Sequence, residues 1–420
     1  MATGLTKMLF RWSSPERSQM GFMQIVSKYL SNASRSEEKL ELEGSIPEIV
    51  EQVANERSVR WLLNSDVMKV LDMASAISVL REGYKDLLEE NAAYVPRLDL
   101  FVPAGNGPDY YQWGSMAGGS VSSGVVAVRM KSDIASWPEG RTWEKHCVSE
   151  GTYCGLIFLF SVSDGSPVCV IQDGYLQHVR VGASAGIGTD FLARNDASTV
   201  GLIGSGGMAR SYLEAICNVR QITKASVYSP NPEHRGAFAL EMSQRLGIDI
   251  SPVARPEQAV ISADIVVTAT DSAVPTLDHS WVSPGAHVVC VTRRELSDQL
   301  VKRADKVVQL GVHSIPPGTQ VPGMSWTGGA VGSFICGAPE HRDRIPKSSA
   351  AASLNWPTLV EAQAFDNLGR ENDDEVTLFV NTGTQGLQFA SVGSLVWRRA
   401  QEQDLGRHIP LAWFLQDIRD

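Results

Sequence analysis

The spacing of apolar residues changes character along the chain and divides it into stretches. Residues 1–60 read as an N-terminal extension. Gln24–Leu30 is predicted helical, and Glu37–Arg60 is charged with Leu40, Ile46, Ile49 and Val53 at helical spacing. A short strand is expected at Arg60–Leu63, and Ile77, Leu80, Tyr84 and Leu87 mark a helix over Met73–Leu88. Residues 115–185 read as β-rich, with apolar runs at Val125–Met130, Gly155–Ser161 and Pro167–Ile171. Ser163-Asp164-Gly165 and Asp173-Gly174 serve as hairpin-type punctuation. Between these runs, Ile134–Gly151 is polar and reads as an inserted loop.

From about residue 185 strand and helix patterns alternate. The predicted elements are Thr199–Ile203, Met208–Asn218, Lys224–Ser229, Glu233–Leu246, Glu257–Ser262, Asp264–Ala269 and His287–Val291. A βαβαβ order implies a parallel sheet with helices on both faces, so the fold class is α/β. After residue 345 a helix (Leu359–Leu368), a strand (Glu375–Phe379) and a helix (Gly386–Glu402) follow, a tail able to close back on the first domain. Trp326 with Gly328-Gly329 marks a loop, either a pocket cover or a packed turn.

Composition narrows the function classes. At 420 residues the chain is long for one core, and two domains are expected. A net charge of −10 argues against nucleic acid, whose binding needs dense Lys/Arg contacts with phosphate. Apolar runs such as Gly155–Val162 are far shorter than a membrane span, and the N-terminus shows no signal-peptide core. The six cysteines form no CxxC, and the eight histidines form no HxH or HExxH. Reduced thiols, a cytoplasmic location and no metal site are expected.

The chemistry concentrates in Val200–Ala209. Gly204, Gly206 and Ala209 fit G-x-G-x-x-A between a strand and a helix. The first glycine permits the turn, the second lets backbone approach a pyrophosphate, and the small third residue lets helix and strand pack closely. Ser205, Gly207 and Met208 complete the turn, whose N–H groups at a positive helix end suit a diphosphate. The second strand ends at Ser229-Pro230-Asn231, with no Asp or Glu for a ribose 2′-hydroxyl. Ser229, Asn231 and Arg235 are placed to meet a 2′-phosphate, favouring NADP(H) over NAD(H). Thr270, Ser272 and Val291, at the ends of later strands, are the remaining cofactor candidates.

These segments together resemble the ornithine cyclodeaminase/mu-crystallin family. The resemblance rests on Gly201–Ala209, Ala263–Thr270, Pro275 and Pro284–His287, on Asp173-Gly174 with Arg180–Ala183, and on Gly369-Arg370 with Asp373–Phe379. It covers roughly residues 62–405. It implies a Rossmann domain (186–344) and an α+β substrate and dimerisation domain built from both chain ends (61–185 and 345–420), in a homodimer. It also implies a nicotinamide cofactor acting on small α-amino or α-imino acids. The family's carboxylate-holding residues fall on Arg97, Arg180 and Arg129, the last standing where the family has lysine. Forked guanidinium groups suit a carboxylate. Lys131 shares a strand face with Arg129 by alternation. Arg129, Lys131 and Asp271, just after Thr270, are the candidates near the reacting centre, and His178, two residues before Arg180, is placed in the pocket.

Two departures from the family pattern stand out. In His287–Leu296 the Arg-Glu-Leu arrives about five residues early, which removes the loop carrying the acid/base Asp of cyclodeaminases. Phe389 stands where the family often has an Asp after Gln. Ammonia loss with ring closure needs a positioned proton shuttle, whereas imine reduction asks for less. The expected activity is therefore NAD(P)H-dependent reduction or oxidation at a C=N/CH–NH bond of a small carboxylated substrate. A cyclodeaminase with bound NAD and a non-catalytic nicotinamide-binding protein remain the alternatives.

Overall fold

The structure, a computed structural model, describes residues 57–420 except 106, 312–323, 328–329, 346–355, 365–368, 417 and 419–420. The predicted helix Gln24–Leu30, residues 37–56 of the helical stretch Glu37–Arg60, the Gly328-Gly329 loop and the end of the Leu359–Leu368 helix lie outside the described residues; the last residues of that stretch, Ser58–Arg60, are strand rather than helix.

Two sheets organise this part of the chain. The first starts with β1 (Ser58–Leu62), followed by helix α1 (Met73–Leu88). It continues through β2 (Ala92–Pro103), β3 (Tyr110–Ser120), β4 (Val125–Ser136), β5 (Glu144–His146), β6 (Cys154–Ser161) and β7 (Pro167–Gln172). β2, β3, β4, β6 and β7 form an antiparallel meander, and β1 joins β7 in parallel. α1 has the predicted limits: the Asp72 carboxylate accepts from the Ser75 N–H at its start, and Ile77, Leu80 and Tyr84 are buried.

β2 was not expected, and of β3 only the second half falls in the stretch read as β-rich; packing explains why. β3 carries Gly114, Gly118 and Gly119 where an ordinary strand would carry branched residues. A Cβ on Gly118 would fall 2.6 Å from the backbone of Gly386 and Leu387, so the close approach of a helix replaces the usual apolar signal. The segment Ile134–Gly151 is also no simple loop. β4 keeps alternating to Ser136, β5 pairs back onto it, and Trp137 and Trp143 close against Phe101 and Tyr110.

Asp173-Gly174 does not turn a hairpin; it leads from β7 into helix α2 (Gly174–Leu192). That helix is buried on nearly every side, so it lacks the polar face that would mark it in the sequence. Small residues allow this. A Cβ on Gly182 would meet Ser211, and one on Gly188 would strike the Phe379 ring.

The second sheet follows with β8 (Thr199–Ile203), α3 (Gly207–Val219), β9 (Lys224–Tyr228), α4 (Pro232–Leu246), β10 (Asp249–Pro252), β11 (Ile265–Thr268), β12 (His287–Cys290) and β13 (Lys306–Gln309). The chain then forms β14 (Met324–Thr327), β15 (Ala330–Ile335), β16 (Thr377–Val380), α5 (Gln385–Glu402) and β17 (Arg407–Pro410). The order β10-β9-β8-β11-β12-β16-β13 is parallel throughout, the Rossmann-like arrangement expected.

The sheets exchange strands against the sequence-based boundaries. β16, expected with the substrate domain, sits between β12 and β13, where His287 pairs with Thr377. β14 and β15, expected with the Rossmann domain, extend the first sheet beside β2. A fully buried run such as Thr377–Val380 reads the same whichever sheet it enters. α5 lies across β2, β3 and β4 and completes the first domain. Among the described residues no helix is long and apolar enough to cross a membrane.

Candidate functional site

β8 leads into α3 through Gly204-Ser205-Gly206. Gly204 has φ +112°, and a Cβ there would fall on the Ala269 carbonyl, so glycine is required at the turn. Gly206 is the N-cap of α3, no side chain caps its N–H groups, and a Cβ on it would meet nothing within 4 Å. Ala209 is fully buried behind the turn. Free amides, open space and a helix N-terminus fit a pyrophosphate.

These residues line a cleft of about 890 Å³ at the carboxyl ends of the central parallel strands. That is where open α/β sheets bind ligands. Gly204, Ser205, Gly206, Gly207, Met208, Ser229, Asn231, Thr270, Ser272 and Val291 all border it, and so do His178 and Asp271. Burial holds the His178 imidazole below its ordinary pKa, with Arg180 and Arg210 adding to the effect.

At the tip of β9 the Ser205 hydroxyl donates to Ser229 Oγ at 2.9 Å. Asn231 is occupied as the cap of α4, accepting from the Glu233 and His234 N–H groups. Arg235 does not border the cleft; its Nη1 donates to the Ser229 carbonyl at 2.9 Å.

Sequence reasoning missed Arg141 and Thr142 in the lining of this cleft, and Glu295 behind it. Arg141 and Thr142 reach it from the segment between β4 and β5, held by the Ala273 N–H donating to the Arg141 carbonyl at 2.7 Å. Glu295 is fully buried and accepts from the N–H and hydroxyl of Thr270, both at 2.7 Å, and from the Thr292 N–H. Burial raises its carboxyl above the usual range, against these hydrogen bonds. Only the Glu in the early Arg-Glu-Leu could have signalled this anchor.

The expected substrate residues stand apart from the cleft lining, on the covered face of the first sheet and on α2. Arg97 sits at a β-bulge between Val95 and Leu98, where Pro96 cannot join the ladder. Its Nε meets Asp99 Oδ1 at 2.9 Å. Arg129, Lys131 and Asp133 are buried together on one face of β4, as alternation predicts. Lys131 pairs with Asp133, and Arg129 Nε meets Asp173 Oδ2 at 2.7 Å.

Arg180 differs from the other three. It is 6% exposed, and its guanidinium donates only to amides: Gln388 Oε1 at 2.7 Å and Gln177 Oε1 at 2.7 and 3.2 Å. Its Cζ lies 4.7 Å from the centre of the Phe389 ring, and Arg129 Cζ lies 5.7 Å from it. Burial and the nearby Arg129 bring its pKa down to about 9. No carboxylate pairs with it among the described residues, Asp173 being bound to Arg129 and acting on it only from a distance, and α2 carries it two residues beyond His178.

Beyond β12 the chain runs Val291-Thr292-Arg293-Arg294 into a tight turn, Arg293–Glu295. No aspartate stands between Cys290 and Glu295, as the early Arg-Glu-Leu indicates.

A parallel sheet with a glycine turn at its switch point, joined to a second sheet bearing a buried arginine, defines a nicotinamide-dinucleotide-binding enzyme fold. A model of the ornithine cyclodeaminase/mu-crystallin family matches residues 144–403, and the chain belongs to that family. It is 28% identical over 298 residues to a Delta(1)-pyrroline-2-carboxylate reductase of Bacillus cereus, covering 69% of this chain and 82% of that one. The structure of the Thermococcus litoralis Delta(1)-pyrroline-2-carboxylate reductase with NADH and L-proline superposes with TM-score 0.65. It is 26% identical, and the match covers 84% of this chain and 100% of that chain. An archaeal alanine dehydrogenase dimer with bound NAD has the same fold, with TM-score 0.65 at 22% identity over 84% of this chain and 99% of that chain.

Proposed function

We propose that this protein is an NAD(P)H-dependent oxidoreductase that reduces the C=N bond of a small carboxylated imine or runs the reverse step on the amine. The observation that carries the reading is Arg180, a buried guanidinium held by amides alone, on the helix that brings His178 to the dinucleotide cleft. A substrate carboxylate would supply the anion that the protein does not.

The residues have separable tasks in this reading. The free amides around Ser205 and Gly206 would hold a diphosphate, and Glu295 fixes the Thr270 loop at the edge of the cleft. A dinucleotide bound there would supply the hydride. Arg180 orients the carboxylate, with Arg97, Arg129 and Lys131 behind it already balanced by aspartates. Protonation of nitrogen falls to Asp271, the one carboxylate bordering the cleft among the described residues, or to water. NADP(H) is the proposed form, because the tip of β9 presents Ser229 rather than a carboxylate and Arg235 stands behind it. The reading includes a homodimer and a cytoplasmic location. Six unpaired cysteines suit a reducing compartment.

The cyclodeaminase alternative loses support from the turn at Arg293–Glu295, which has no acid/base aspartate. The test is to mix purified protein with NADPH or NADH and a panel of cyclic and linear α-imino acids, Δ1-pyrroline-2-carboxylate first. Loss of the reduced-nicotinamide absorbance is expected. No oxidation with any member, or ammonia release from ornithine without net cofactor change, would overturn the reading.

A further inference from the structure

The segment read as an inserted loop and the shortened turn after β12 meet at one side chain. Trp143 belongs to the segment between β4 and β5 that reads as an insertion, and Arg294 to the shortened turn after β12. Arg294 Cζ lies 5.0 Å from the centre of the Trp143 ring, and Lys145 Nζ, on β5, lies 5.1 Å from it. The Trp143 N–H donates to the Asp271 carbonyl at 3.1 Å, which ties this cluster to the loop bordering the dinucleotide cleft.

The charge here is unbalanced. Arg97, Arg129 and Lys131 each have an aspartate partner. Lys145 and Arg294 make no ion pair among the described residues: Asp133, already paired with Lys131, acts on Lys145 only from a distance, and Glu295 and Asp271 act so on Arg294. Two donors are also unmet: the Trp143 indole N–H and Arg294 Nε–H are both buried with no acceptor. Trp143 is 8% exposed. Buried donors are ordinarily satisfied, so an unmet pair beside two cations describes a place for an acceptor of negative charge. Burial, with Lys131 and Arg97 nearby, holds the Lys145 ammonium well below its ordinary range, and burial likewise lowers Arg294. An arriving anion would relieve both.

We propose that Trp143, Lys145 and Arg294 form a second anion subsite, so that the substrate carries a carboxylate there besides the one Arg180 takes. The substrate class is then an imino dicarboxylic acid or its amino counterpart. The assignment rests on the reductase reading for the first carboxylate and on the Trp143 cluster for the second. The insertion supplies the indole and the ammonium. The shortened turn removes the acidic loop and sets a guanidinium beside them.

The test uses the full-length chain saturated with NADP+ or NAD+, whichever binds, and titrated calorimetrically with glutarate and with butyrate, which lacks the second carboxylate. Wild type is expected to bind glutarate about tenfold more tightly, the ratio one added charge-assisted contact gives. Lys145→Met and Arg294→Met should each bring the ratio close to one while dinucleotide affinity stays the same, and Arg294→Lys should keep part of it. If a methionine variant fails to fold, its glutamine counterpart takes its place. Equal binding of the two acids by wild type, or a ratio that survives in both variants, overturns the proposal. If no imine is reduced yet glutarate is preferred and the variants lose that preference, it is the reductase reading that fails and the subsite stands.

Discussion

The imidazole of His178 occupies the space that a side chain on Gly207 would need: a methyl group there would overlap the ring, 2.8 Å from Nε2. The helix that carries Arg180 is thereby pressed against the turn that would hold the dinucleotide.

Gly207→Ala should therefore displace the His178 ring and raise the dinucleotide Kd by about tenfold. His178→Ala in the same chain should restore most of the affinity, because it removes the overlap. Fluorescence titration with NADPH measures both; equal affinity for Gly207→Ala and wild type would rule out the contact as a constraint.

Arg180→Met should raise the substrate KM by about a hundredfold, the cost of truncating one side of a buried charge contact. Dinucleotide affinity should not change. Arg180→Lys should recover only part of the loss, since an ammonium cannot reproduce the forked geometry. Steady-state kinetics with a C=N substrate, alongside NADPH titration, separate the two effects. An unchanged KM would remove Arg180 from the carboxylate site.

Cofactor choice turns on the tip of β9. Ser229→Asp puts a carboxylate where the 2′-phosphate is proposed to lie and should weaken NADPH by about a hundredfold while sparing NADH. Arg235→Ala should weaken NADPH alone, by less, because its guanidinium also bonds the Ser229 carbonyl. Parallel titrations with the two dinucleotides decide this; equal losses for both would refute a phosphate contact.

His287 offers a pH test independent of catalysis. It is fully buried, its Nδ1 lies 2.9 Å from the Thr377 hydroxyl, and burial pushes its pKa down to about 3 from 6.5. Between those values the unfolded chain binds a proton that the folded chain does not, so stability rises with pH there. Acidification from pH 6 to pH 4 should cost about 1.4 kcal/mol per unit through this one group. Urea titrations should show the slope reduced by one proton in His287→Gln. An identical slope in the variant would assign the acid sensitivity elsewhere.

The sequence marked the cleft well because its parts are local. A strand, a glycine turn and a helix follow one another in Thr199–Val219, and Thr270, Asp271 and Val291 sit just past apolar runs. Elements built by close approach left no such mark. α2 hides its helical period because Gly182 and Gly188 bury the face that should be polar. β3 hides its alternation because Gly118 faces the α5 backbone. Trp143, Lys145 and Arg294 are brought together by a short strand and a tight turn far apart in sequence, and no spacing rule joins them. Glu295 was visible as part of the shortened turn, but its work as an anchor for Thr270 shows only in three dimensions.

The return of Thr377–Val380 into the second sheet has a practical consequence. Every residue of this strand is buried, and it pairs on one side with His287–Cys290 and on the other with Lys306–Gln309. A fragment ending near residue 345 would lose an interior strand and expose two unsatisfied edges. Grafting the nucleotide-binding half onto another scaffold, or expressing it by itself, would need this distant tetrapeptide carried along. Evolutionary exchange of whole halves between relatives meets the same obstacle.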